Sequence, residues 1–196
     1  MQYKKIKDNL IHKTAIIDWK NVNLGKHNII EAYTVIGGPA QHPLKKSSGK
    51  VIIGDNNKIN QFVCINRPTS LTKKTKIGNN NYIMNNTTID HDCHLEDNIT
   101  ISSNVVLGGN IYIMQGAQIG IRSIIHQNQI IGSFTMLGMG SIVTKTKSIF
   151  PGYVFFGKPV KKIKMNLVGI RRNNISIDFL KSATKRFKEI FKKRKI

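Results

Sequence analysis

Residues 77–110 read IGNNNYIMNNTTIDHDCHLEDNITISSNVVLGGN, and in that stretch an aliphatic residue returns at every sixth position, as Ile77, Ile83, Ile89, Leu95, Ile101 and Leu107. The series runs on through Ile113, Ile119, Ile125, Ile131, Leu137 and Val143, twelve consecutive hits, too regular for chance. A period of six matches neither the 3.6 of an amphipathic helix nor a simple strand alternation. It is the hexapeptide pattern of a parallel β-helix. Small or polar residues stand two before the aliphatic (Thr87, Cys93, Ala117, Ser123, Thr135, Ser141), and glycine follows it at Gly78, Gly120, Gly132 and Gly138, where tight corners are expected.

Earlier coils keep the period in other registers, as Leu24, Ile30 and Ile36 and again as Ile53, Ile59 and Ile65. Two segments break it: GGPAQHPLKKSSGK (37–50) and NRPTSLTKKTK (66–76), rich in Gly, Pro, Ser and Lys, are expected to leave the prism as loops. Long loops on a rigid scaffold are where binding groups tend to sit. Beyond Pro159 the pattern ends. Ser176 and Asp178 open a helical stretch with Ile177, Leu180, Ala183, Phe187, Ile190 and Phe191 on one face. The expected organisation is therefore a mainly β domain over 1–160, with a basic α-helical segment over 161–196.

Composition bounds the function. A chain of 196 residues, 40% hydrophobic, is long enough for a real core. It has no apolar run of membrane-spanning length, and its start, MQYKKIKDNLIHK, lacks the apolar centre of a secretory signal, so a cytoplasmic protein without a transmembrane segment is expected. Cys64 and Cys93 are too few for a disulfide framework and read as free thiols. A net charge of +21 concentrates anionic partners around the molecule, although heavy use of Lys, Ile and Asn also follows from genome composition. Nucleic acid is not the expected partner, because only 7% of residues are aromatic and they are not interleaved with the basic ones.

If three hexapeptides close one triangular coil, residues 18 apart stack about 4.8 Å from each other. His91 then shares one column with Gly109 and Gln127. Three readings of His91 compete. It is an ordinary hydrogen-bonded imidazole; or, with Cys93 and His94, part of a zinc site, against which stand strand alternation and the lack of a fourth ligand; or it is a general base. An imidazole titrates near neutrality and takes a proton from a hydroxyl or amine attacking a thioester. Asp92 would then fix its tautomer, provided the chain turns a corner there, and the Gly109 N–H would meet the developing oxyanion.

The strings IHKTAII, GGPAQHPLKK, VIIGDNNKINQFVCINRPT, IGNNNYIMNNTTIDHDC and NLVGIRR together resemble the UDP-N-acetylglucosamine O-acyltransferases that begin lipid A synthesis. The resemblance runs from about residue 11 to the C-terminal helix, in a chain shorter than typical members. It implies a left-handed β-helix homotrimer with active sites between subunits, an acyl carrier protein donor, a UDP-sugar acceptor and no cofactor beyond the acyl donor itself. It makes His91 the base, Asp92 its partner and Gly109 the oxyanion donor. His126 and Gln127 become sugar and acyl contacts, Asn166 a donor contact, Arg172 a basic residue near carrier or phosphate, and Gln41 and Lys45 loop residues on the substrate.

The chain also departs from this family. His42 and Pro43 replace the loop aspartate used on the sugar, Asn110 and Thr88 replace two histidines, and Asn173 stands where a second arginine follows Arg172. Met139 replaces the glycine of the hydrocarbon ruler, which implies a shorter acyl chain. GKPVKKIK (157–164) is similar to the ending of hexapeptide sugar acetyltransferases that use acetyl-coenzyme A, so N-acylation of an amino sugar for surface polysaccharide, with acyl-CoA as donor, is the second expectation. A non-catalytic polyanion-binding β-helix is the third. The gamma-class carbonic anhydrases share the fold, but their metal set requires a histidine where this chain has Ile131.

Overall fold

The structure, a computed structural model, describes residues 2–145 and 149–194. Among the described residues the strands stack into three sheets, of ten, seven and six strands, and all the pairings inside the coils are parallel. The six-residue period is the cause. Ile83 pairs with Ile101, Ile101 with Ile119 and Ile119 with Leu137 on one face. Ile89, Leu107 and Ile125 stack on the second, and Leu95, Ile113 and Ile131 on the third. All ten side chains are buried. Each is worth about 1.5–3 kcal/mol of apolar burial, so the prism is filled by its own repeat.

The corners are not where the glycines suggested. Backbone with positive φ recurs every six residues at Asn80, Asn86, Asp92, Asn98, Asn104, Asn110, Gly116, Arg122, Asn128, Phe134 and Gly140. Asparagine serves here because it tolerates the left-handed region better than most residues with a side chain. Gly120 instead answers to the close approach of the next coil, since a Cβ there would lie 2.6 Å from the carbonyl oxygen of Leu137.

The two interruptions of the period are only partly loops. Thr69–Ile77 is a strand of nine residues that pairs in parallel with Ser48–Ile53, through a bulge between Thr69 and Lys74. Both ends of the expected 37–50 loop are strand as well, so the irregular excursion shrinks to 39–47. β-Branched Thr69, Thr72 and Thr75 suit that pairing, a signal that the Lys and Pro content of the segment concealed. The last coil likewise extends past its expected end. Tyr153–Gly157 and Val160–Met165 form an antiparallel hairpin that carries the sheet to residue 165.

The helical segment follows. A short helix, α1 (Leu167–Arg172), is capped by Asn166, and the expected long helix, α2 (Ile177–Arg194), begins where the Ser176 hydroxyl accepts the Phe179 N–H. Phe187 of α2 packs with Met114 and Ile130 on one outer face of the prism, and Arg186 pairs with Glu96 below it. A second outer face stays bare and apolar, with Val106 43% and Ile124 46% exposed in adjacent coils.

Candidate active site

The corner at Asp92 brings His91 and its neighbour together. On a straight strand successive side chains diverge. With φ 62° at Asp92 the chain turns, and the Asp92 Oδ2 lies 2.9 Å from His91 Nδ1. The carboxylate is held from several sides: it accepts from the Thr69 N–H at 3.1 Å, the Thr69 hydroxyl at 2.8 Å and Lys73 Nζ at 3.2 Å. Burial pushes the Asp92 pKa up, but the hydrogen bonds from Thr69, His91 and Lys73 together outweigh it and leave it below the ordinary aspartate range. Asp92 is therefore an anion that can only accept, so Nδ1 carries the proton and Nε2 is left with its lone pair.

Nε2 faces the coil above, where Gly109 lies directly over the ring. A Cβ on Gly109 would fall 2.3 Å from His91 Cε1 and 2.4 Å from Nε2. No other residue leaves room for the imidazole in this orientation. The 18-residue column is visible in the backbone: Asn110 N–H donates to the His91 carbonyl at 2.7 Å, and Asn128 N–H to that of Gly109 at 2.9 Å. Among the described residues the Gly109 N–H has no backbone acceptor, so a donor stands beside the base.

The two interruptions of the period wall this corner, the 39–47 excursion from one side and 66–76 from the other. His42 lies edge-on to His91, ring centroids 5.6 Å apart, and the Gln41 N–H donates to Asp90 Oδ1 at 3.3 Å. Asn66 Nδ2 donates to the same oxygen at 3.1 Å. Asp90, Asn66, Thr69 and Lys73 were not singled out from sequence. For three of them the reason is that 66–76 reads as a solvated loop, while Asp90 is hidden between the inward Ile89 and the base.

The other expected residues sit apart. His126 and Gln127 are exposed, with His126 Nδ1 3.1 Å from the Gln127 carbonyl oxygen. Asn110 Nδ2 donates to Asn128 Oδ1 at 2.7 Å, and the Asn110 oxygens accept from Arg194 at the end of α2. Asn166 is buried and committed to structure, accepting the Gly169 N–H and donating to the Phe134 carbonyl at 2.9 Å. Arg172, Lys45 and Met139 are exposed, Met139 by 68%. Of the HDCH motif, only His91 and Asp92 face one another. Cys93 is fully buried, donates to the Gly108 carbonyl, and burial pushes its pKa up to about 12. His94 turns to the face under α2, 4.5 Å from the Tyr112 ring, where burial and then Lys76 lower its pKa.

Residues 74–109 match the family model described as bacterial transferase hexapeptide (six repeats). The chain is 32% identical over 174 residues to a Nautilia profundicola protein named acyl-(acyl-carrier-protein)–UDP-N-acetylglucosamine O-acyltransferase, covering 86% of this chain and 65% of that one. A probable mitochondrial enzyme of the same name from Arabidopsis thaliana is 37% identical over 86% of this chain and 50% of its own. A solved UDP-N-acetylglucosamine acyltransferase from Bacteroides fragilis superposes with a TM-score of 0.82 at 28% identity, over 91% of this chain and 69% of that one. The chain thus spans under two thirds of the length of these two curated relatives. The stacked parallel coils are those of a left-handed β-helix of the hexapeptide-repeat class. Within that class the relatives that the chain resembles are UDP-N-acetylglucosamine O-acyltransferases, matched over part of their length.

Proposed function

We propose that the protein transfers an acyl group from acyl carrier protein to the 3-position of a UDP-N-acetylglucosamine-type sugar, with His91 as general base. The observation that carries this is the His91–Asp92 pair under Gly109. An ionised Asp92 on Nδ1 leaves Nε2 free to take the acceptor proton, and the Gly109 N–H meets the thioester oxygen as negative charge gathers there. As the carbonyl is attacked, Asp92 steadies the imidazolium, which then returns its proton to the departing thiolate.

Two surfaces support the partners. A cleft of about 400 Å³ between the last coil and α2 has an apolar floor of Pro151, Tyr153, Ile177 and Leu180 and a rim of Lys181, Lys185 and Lys188. That combination suits an acidic carrier with an apolar contact. The bare face at Val106 and Ile124 ends at the His91 corner and suits a second copy of the chain, as a homotrimer with sites between subunits requires; His126 and Gln127 would then meet substrate across the interface. No helix among the described residues is long and apolar enough to cross a membrane.

The test is product analysis by mass spectrometry, screening UDP-sugars against acyl carrier protein and coenzyme A thioesters. Acylation of a UDP-N-acetylglucosamine-type acceptor from the carrier, weakened by salt, is expected. Transfer from coenzyme A alone, insensitive to salt, would overturn the carrier assignment. Met139 should limit chain length, because an occupied groove loses about 0.8 kcal/mol for each methylene it can no longer bury. Met139→Gly is expected to shift the preferred donor towards longer chains.

A further inference from the structure

We infer that Asp90 tunes this site towards a nitrogen nucleophile, so that the preferred acceptor carries an amine rather than a hydroxyl at the acylated position. The inference rests on the general-base reading of His91 above. Asp90 Oδ2 lies 3.9 Å from His91 Nε2, too far for a direct hydrogen bond. Its other oxygen is anchored by the Gln41 N–H and Asn66 Nδ2, so the carboxylate is held beside the reactive nitrogen of the base. An acceptor atom placed within about 3 Å of both groups meets two hydrogen-bond acceptors side by side.

A neutral amine has two hydrogens to offer, one to Nε2 and one to Oδ2. A hydroxyl has one. Once it is given to Nε2, the hydroxyl oxygen turns lone pairs towards Asp90. The transition states differ in the same sense. When an amine attacks the thioester carbon, the N–C bond forms and positive charge builds on nitrogen, next to a fixed carboxylate. The tetrahedral intermediate then expels the carrier thiolate as the C–S bond breaks. One N–H proton passes to His91 Nε2 and on to the thiolate, and the other stays on the amide. The site therefore stabilises the amine's transition state more than its ground state.

The experiment compares kcat/KM of the full-length protein for UDP-N-acetylglucosamine and for its 3-amino-3-deoxy analogue, using the same acyl carrier protein thioester, in wild type and in Asp90→Asn and Asp90→Ala. Asp90→Asn keeps an oxygen for Gln41 and Asn66 but loses the charge, and melting temperatures report whether each variant folds. Wild type is expected to favour the amine by about ten- to a hundredfold. Asp90→Asn should reduce that ratio at least about tenfold, through the amine and not the hydroxyl. Equal or better use of the hydroxyl by wild type, with a ratio unmoved by Asp90→Asn, would overturn the inference and leave the acyltransferase reading standing. Acylation of neither acceptor would overturn both.

Discussion

Two columns of the same prism have been put to opposite uses. In the first, Asn9, Asn28, Asn57 and Asn81 stand in successive coils, all buried. Each Oδ1 accepts the backbone N–H of the residue one coil on: Asn9 takes that of Asn28, Asn28 that of Asn57, Asn57 that of Asn81, and Asn81 that of Ile99. The second column is His91, Gly109 and Gln127, where among the described residues the backbone N–H groups have no backbone acceptor and the side chains are an imidazole, nothing and an exposed amide. Both columns follow from one repeat. A buried polar group left unpaired is expensive, so the asparagine oxygens meet the backbone N–H groups of their own column, with Asn81 Nδ2 at its end left without a partner, whereas the corner at His91 keeps an N–H for a substrate.

The largest way to break that contrast is Gly109→Ala. The added methyl would have to displace the His91 ring, and misplacing a base by about 1 Å lowers activity about a hundredfold. Activity of the folded fraction should fall by at least that much in a steady-state assay, and because His91, Asp92 and Gly109 are buried the melting temperature should fall by a few degrees as well. Asn57→Ala should lower stability alone. It strands the Asn81 N–H and the Gly78 carbonyl that Asn57 Nδ2 now reaches at 2.9 Å, at a cost of about 1–3 kcal/mol for each group. Calorimetry should show a melting temperature lower by several degrees, with kcat of the folded fraction unchanged.

The smallest effect sharpens the contrast through pH. Because the folded-state pKa of Asp92 lies below the ordinary value of 3.8, the stability that Asp92 contributes is complete above that value and is lost as pH falls through the folded-state pKa. Wild type should therefore lose stability on acidification below about pH 4, and Asp92→Asn should lose less over the same range in denaturant titrations.

How far the sequence reached depends on what each residue answers to. Ile83, Ile101 and Ile119 answer only to the period, so their column and its register could be read directly. So could the stacking of His91 under Gly109, because a rigid 18-residue coil turns sequence separation into distance. Asp90 and Lys73 answer to a chain excursion whose path the period does not set, and Thr69 was hidden in a segment that looks solvated but pairs as a strand. The corners were misplaced onto Gly120 and its like because glycine serves close approach as well as positive φ, and the asparagines carry the φ here.

The most direct measurement is the rate of acyl transfer by His91→Ala, with binding of the nucleotide sugar followed in parallel. A base in this role is worth about 10²–10⁴ in rate. The account predicts a loss of that size in the folded fraction, with sugar binding preserved. A variant that transfers acyl groups at the wild-type rate would contradict it.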